Sequence, residues 1–152
     1  MTPPAMPKSV RAGVIVAPMN TKPTLALADL RAIAAAAEAE ALKNGWAVTF
    51  AIVDDGGHLL WLQRLDGAAP ISAQIAPAKA RTAALGRRES KVYEDMINQG
   101  RHSFLSAPLQ GMLEGAVPIM ADGQCVGAIG VSGVKSSEDA QIARAGIAAL
   151  GT

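Results

Sequence analysis

The sequence predicts a single α+β domain in which helices pack on an antiparallel sheet of about five strands. Two hairpins are legible, each with a glycine-containing turn between apolar runs, and hairpins imply antiparallel pairing. The predicted order is helix, two strands, two helices, two or three strands and helix, which is not the strict alternation of a parallel doubly wound sheet. The length of 152 residues is that of one ordinary domain.

The first half of the chain predicts a helix followed by a hairpin. Small and apolar residues recur at helical spacing over residues 25–44, and Gly45 stands where a glycine commonly ends a helix. Predicted strands at residues 46–53 and 58–64 flank the sequence Asp-Asp-Gly-Gly at residues 54–57. These turn residues tolerate positive φ, so they favour a tight reversal between the two strands.

The second half predicts three helices and a second hairpin. The hairpin turns at Asp122-Gly123, and the last helix begins with Ser136 as N-cap, followed by acidic residues that suit a helix N-terminus. The predicted elements are helices at residues 72–88, 90–99 and 136–150, hairpin strands at 117–121 and 124–131, and a further short strand at 109–113.

The N-terminal segment differs in composition from the rest of the chain. Residues 1–20 contain four prolines and show neither helical nor strand periodicity, which predicts a flexible or subunit-contacting arm. Residues 21–152 contain neither a linker nor an internal repeat, so we expect them to form the domain.

Charge and composition restrict the classes of function. Lys and Arg number 14 against 13 Asp and Glu, and only 3% of the residues are aromatic, so we expect no nucleic-acid partner. The single cysteine, Cys125, cannot form an internal disulfide. No apolar stretch is long enough to span a bilayer, which predicts a cytoplasmic protein without a membrane partner. The mean hydropathy of +0.23 indicates a homo-oligomer.

Lys79 is the most informative charged residue. On a helical projection it lies at the edge of a narrow face of small and apolar residues, so it requires either a carboxylate partner or a ligand. Asp54, Asp66 and Glu114 all lie near predicted strand ends and are candidates to supply such a carboxylate. A structural ion pair is slightly favoured over a functional role.

The remaining candidate sites give weaker signals. Arg64 and Asp66 lie at a sheet end, where they bind a small carboxylate or pair on the surface. His58 and His102 have no partner at ligand spacing, so no dedicated metal site is predicted; His102 is a weak candidate for an axial haem ligand. The glycines of residues 127–133 do not have dinucleotide-loop spacing, and we interpret them as positions where another backbone comes close.

Four segments together resemble a known family. They are Val53-Asp-Asp-Gly-Gly57 with Leu65-Asp-Gly67, Ala78-Lys-Ala-Arg-Thr-Ala83, Gly115-Ala-Val-Pro-Ile119 with Asp122-Gly123, and Val126-Gly-Ala-Ile-Gly-Val-Ser-Gly133 with Glu138-Asp139. In this order they resemble the GlcG/HbpS-like family, haem-binding-protein-like domains also found at the C-terminus of some corrinoid adenosyltransferases. The resemblance implies a profilin-like fold, a homo-oligomer, and a haem or related tetrapyrrole ligand.

The resemblance also directs attention to the segment Gly115, Ala116 and Pro118 as a ligand-binding region. The family pattern usually has a second glycine at the position of Ala116, so the methyl group here narrows any pocket lined by this backbone. Other family members accompany catabolic operons for small hydroxy acids or alcohols.

Two functional hypotheses follow. The first is a small-ligand-binding homo-oligomer, with haem as the ligand that the resemblance implies. The second is an enzyme that acts on a small carboxylate or carbonyl compound by proton transfer. In this second hypothesis Lys79 binds or polarises the substrate and Glu114 or Asp54 acts as the base. Arg64 or Arg81 then holds the substrate carboxylate.

Overall fold

The computed structural model describes Met1 and residues 18–151, so most of the expected arm at residues 1–20 lies outside the described residues. The elements, in chain order, are α1 (Leu27–Lys43), β1 (Thr49–Asp54), β2 (Leu59–Arg64), α2 (Ser72–Gly86), α3 (Lys91–Asn98), β3 (Ala116–Ala121), β4 (Gln124–Ser132) and α4 (Ser136–Ala148). A short 3₁₀ helix, His102–Ser106, follows α3. None of the helices described is long and apolar enough to cross a bilayer.

The strands form one antiparallel sheet in the order β2-β1-β4-β3. Both predicted hairpins are therefore confirmed, and the α+β class is correct. The sheet has four strands rather than five, because residues 109–113 form an irregular loop in which Gly111 adopts a φ of +74°. Its Gln110 carbonyl accepts a hydrogen bond of 2.6 Å from the Thr82 hydroxyl instead of joining a strand ladder.

The sheet has a different cover on each face. Helices α1 and α4 pack on one face and bury a core of large aliphatic side chains with one aromatic ring. Each fully buried side chain of this size contributes roughly 1.5–3 kcal/mol. The largest members of this core are Phe50, Ile33, Ile52, Ile119, Ile129 and Ile142.

Helix α2 covers the other face through small residues. Ala80, Ala83 and Ala84 pack there against residues that include Val53 and Ala128. The approach is closest at Gly130, where a Cβ atom would lie 2.5 Å from the Ala80 backbone nitrogen and closer still to the Ala76 carbonyl oxygen. The glycine in β4 therefore lets the helix backbone rest directly on the strand, which is the structural role that the sequence predicts.

The two edge strands differ in how they face solvent. Strand β3 carries Pro118, which has no N–H to offer to an additional strand. Strand β2 has no proline and exposes Leu59, Leu60 and Leu62 by 54%, 39% and 45%. An apolar, unprotected edge of this kind is a surface on which another chain can add.

Candidate functional site

Lys79 is buried between α2, β4 and α4. Only 4% of the residue is exposed, and its Nζ donates hydrogen bonds to the Val131 carbonyl at 2.9 Å and to Asp139 Oδ2 at 3.2 Å. Lys79 does have a carboxylate partner, but it is Asp139 in the first turn of α4. The predicted candidates Asp54, Asp66 and Glu114 form no ion pair with Lys79 among residues 18–151. In the sequence Asp139 shows only the pattern of an acidic residue at the start of a helix, because nothing local links it to α2.

Asp139 is held by further contacts within the same buried cluster. Its Oδ1 accepts a hydrogen bond of 3.2 Å from the Val134 N–H. Burial raises the pKa of the Asp139 carboxyl, although the Lys79 charge and the Val134 N–H oppose this shift. Gly115, with a φ of +137°, packs directly against this ion pair. A Cβ atom at Gly115 would lie only 2.7 Å from Lys79 Nζ, so no larger residue fits here. Lys79 and its hydrogen-bond partners therefore connect α2, β4 and α4 in the protein interior.

The two candidate bases occupy other places. Glu114 is partly buried, and its backbone N–H donates to Glu94 Oε2 at 2.8 Å. Asp54 Oδ1 accepts from the backbone N–H of Gly56 and His58 and lies 3.1 Å from His58 Nδ1. Within residues 18–151 neither carboxylate forms a hydrogen bond or ion pair with Lys79. A catalytic role for these residues therefore stays a prediction.

The predicted carboxylate-binding residues also separate into two locations. Arg64 is exposed and donates from Nε and Nη2 to the Ala68 carbonyl, at 3.1 and 2.9 Å. Arg64 and Asp66 line an open depression of about 550 Å³ that also includes Trp46. Arg81 instead packs its aliphatic stem over Gly57 in the β1–β2 turn.

The histidines remain at the surface. His102 is exposed at the start of the 3₁₀ helix, and the His58 side chain is 80% exposed beside Asp54. In the part of the chain that the structure describes, no group of three His, Cys, Asp or Glu side chains is placed to hold a metal ion.

Strand β3 contains a functional candidate that the sequence analysis does not name. Met120 is 43% exposed on this edge strand. It lines an apolar depression of about 370 Å³ together with Val117, Pro118 and Ile147, and Arg144 stands at its border. We call these residues the Met120 edge. Met120 also lines two neighbouring depressions of about 190 and 380 Å³.

The Met120 edge combines three kinds of chemistry. The thioether is a soft ligand of the kind that binds haem iron, the surrounding side chains offer an apolar surface, and Arg144 supplies a cation at the border. Pro118 belongs to this edge, whereas Gly115 and Ala116 are buried and line none of the depressions described here. A ligand-binding role for these three residues stays a prediction. A methionine two residues after a proline on a predicted strand is the sequence signal that could have pointed to this edge.

Fold and site together define a small α+β domain with a solvent-facing apolar edge beside the cationic side chain of Arg144. The family model for "Haem degrading protein HbpS-like" matches residues 25–148. The chain therefore belongs to the HbpS-like family, which confirms the resemblance seen in the sequence.

Individual relatives support the same assignment. The chain is 57% identical to Protein GlcG of Escherichia coli K12 over 114 residues, which are 75% of this chain and 85% of that protein. A Streptomyces reticuli HbpS double mutant superposes with a TM-score of 0.79 at 33% identity, covering 93% of this chain and 99% of the other. The PduOC:heme complex gives 0.75 at 28% identity, covering 83% and 94%.

Proposed function

We propose that this protein binds haem or a related tetrapyrrole at the Met120 edge. The observation that carries the proposal is the partly exposed Met120 thioether within an apolar depression, with Arg144 at its border. Membership of the HbpS-like family and the likeness to a relative crystallised with haem support the choice of ligand.

The residues of the edge fit the chemistry of such a ligand. A tetrapyrrole presents an apolar macrocycle, an iron that accepts a soft axial ligand, and carboxylates at its rim. Val117, Pro118 and Ile147 supply apolar surface, Met120 supplies sulfur, and the Arg144 guanidinium, ion-paired with Glu89, supplies positive charge. When bound, the iron would supply redox and ligand-binding chemistry, and the protein would hold and partly shield it.

A haem titration with two variants tests the proposal. Micromolar wild-type protein should shift the Soret band of added haem. Met120→Leu keeps the volume but removes the sulfur, and it should weaken binding about tenfold or more. His102→Ala is the matched control and should bind like wild type. The absence of any Soret shift with wild-type protein would overturn haem binding, whereas a loss caused by His102→Ala alone would overturn the Met120 site.

We also propose that the protein assembles with a second copy through β2. The exposed leucines of β2 form an apolar surface that association with another chain would bury. The other edge strand, β3, is less suited to pairing because Pro118 lacks an N–H. Two identical antiparallel strands are related by a two-fold axis, so the Arg64 end of one copy approaches the Asp54-Asp55 turn of the other. Asp55 is already ion-paired with Lys22 of its own chain, so the charge of Asp54 is the one that favours a second copy as the occupant.

The enzymatic hypothesis receives no specific support from the geometry. The Lys79 ammonium group is already ion-paired with Asp139. Among the residues that the structure describes, neither candidate base, Glu114 or Asp54, forms a hydrogen bond with Lys79. Proton-transfer catalysis stays a prediction, as do the cytoplasmic location and the association with a catabolic operon.

A further inference from the structure

A second depression adjoins Met120 on the side of the β3–β4 turn. It has a volume of about 380 Å³ and lies between the segment before α1, the β1–β2 turn, the end of α2 and the start of β4. The Gln124 side chain donates to the Thr21 carbonyl at 3.4 Å and so connects two of its walls. We call it the cationic cleft; its lining residues are Asn20, Thr21, Lys22, Asp55, Arg87, Met120, Gly123, Gln124 and Cys125.

The cationic cleft has an excess of positive charge. Lys22 forms an ion pair with Asp55, and its hydrogen bond lowers the pKa of that carboxyl, which therefore remains charged. Among residues 18–151 the Arg87 guanidinium forms no hydrogen bond or ion pair with a carboxylate. Two cations therefore face one anion, and the guanidinium has donors available for a ligand.

The backbone at Arg87 is a second observation that points to this side chain. Arg87 is the residue that ends α2, with φ 57° and ψ 35°, a left-handed conformation that usually belongs to glycine. Gly86 precedes it, and a Cβ at Gly86 would collide with the Tyr93 ring. The chain thus keeps an arginine where glycine would relax the backbone, and the guanidinium lines the cleft.

We propose that the cationic cleft binds a carboxylate group, held by Arg87 with support from Lys22. This inference rests on the proposed function, because Met120 lines both the cleft and the apolar depression. A tetrapyrrole on the Met120 edge can therefore direct a rim carboxylate into the cleft. Arginine suits this role because its planar fork matches a carboxylate with two parallel hydrogen bonds.

The test compares haem with haem dimethyl ester, which lacks the free carboxylates. Wild-type protein should bind haem about tenfold more tightly than the ester, as expected for a charge-assisted contact. Arg87→Gly should lose most of this preference and keep only the part that Arg144 and Lys22 supply, while its Tm rises by about 2–4 °C because the backbone strain is relieved. Arg88→Ala, a neighbour that does not line the cleft, should keep the wild-type preference. A gain in stability together with a loss of discrimination is an effect that a purely structural arginine would not produce.

Each contrary result has a distinct meaning. If wild-type protein binds haem and its ester equally, the cleft proposal is overturned and the proposed function stands. If neither compound binds, the proposed function fails, and malonate serves as the probe of the cleft alone. A rise in Tm with malonate in wild type but not in Arg87→Gly then supports a site for a free carboxylate, and no rise overturns it.

Discussion

The buried pair of Lys79 and Asp139 is the most consequential contact at the scale of single residues. It joins α2 to α4 across β4, and both side chains are almost completely removed from water, with 5% and 3% exposed. Taking two charges out of water is costly, so either partner alone is strongly unfavourable. The pair therefore acts as a constraint on how the two helices sit around the sheet.

We expect Lys79→Met to lower the free energy of unfolding by about 3–5 kcal/mol, because Asp139 then remains buried without its cation. Urea denaturation measures this loss. The double variant with Lys79→Met and Asp139→Leu removes both charges and should recover most of the stability. A single variant as stable as wild type would show that the ion pair does not hold the elements together.

The raised pKa of Asp139 predicts a pH dependence with a definite sign. Above the ordinary value of 3.8, and up to the raised pKa, the folded state binds more protons at this site than the unfolded state does. The contribution of the site to stability is therefore complete below about pH 3.8 and is lost as the pH rises through the raised pKa.

The matched measurement compares wild type with Asp139→Asn between about pH 3 and pH 7, since other titrating groups cancel in the difference. The stability of wild type relative to the variant should fall as the pH rises above the ordinary value of 3.8. A difference that grows with pH would contradict the raised pKa.

At the scale of elements, local chemistry predicted the hairpins well and the loop before β3 poorly. The Asp-Gly turn specifies its own geometry, and Asp122 and Gly123 both adopt the positive φ that such a turn needs. Residues 109–113 have suitable composition for a strand, but the backbone there is fixed by Thr82, which lies far away in sequence. Such a long-range contact leaves no local signal.

The contact between α2 and β4 predicts a sharp response to one added methyl group. Gly130→Ala should lower the free energy of unfolding by about 2–3 kcal/mol, because the helix backbone must move away from the strand. Gly123→Ala is the control: its Cβ meets nothing within 4 Å, so only its positive φ of 73° costs energy, about 1 kcal/mol. Thermal unfolding of both variants gives the comparison, and equal losses would refute a role for close approach at Gly130.

At the scale of the whole molecule, the sequence predicted the family and the need for a partner of Lys79, but not the positions that meet in space. Asp139 lies 60 residues from Lys79 along the chain, so no spacing rule connects the two. The Met120 edge was missed for the same reason, since Met120 and Ile147 belong to different elements and become neighbours only after folding. Arg64 and Asp66 line one depression, as their closeness in sequence predicts, and a role in carboxylate binding stays a prediction.

The exposed leucines of β2 predict how the molecule assembles. A variant carrying Leu59→Lys and Leu62→Lys introduces two charges per copy at the proposed contact and should dissociate the assembly. Light scattering after size exclusion measures the molar mass. The matched control is Leu105→Lys, a change at a position that is 62% exposed in the 3₁₀ helix, and it should assemble like wild type. An unchanged mass in the β2 variant would place the interface elsewhere.

The backbone-on-backbone contact beneath α2 also determines where this protein can change during evolution. A helix that rests on glycine and alanine leaves no side-chain volume to exchange, so the interior on that face tolerates few new residues. Positions at the rim, such as Met120, Arg87 and Arg144, are not under this constraint. Descendants of this chain can therefore acquire new ligands by substitution at the rim, while the layer below remains nearly fixed.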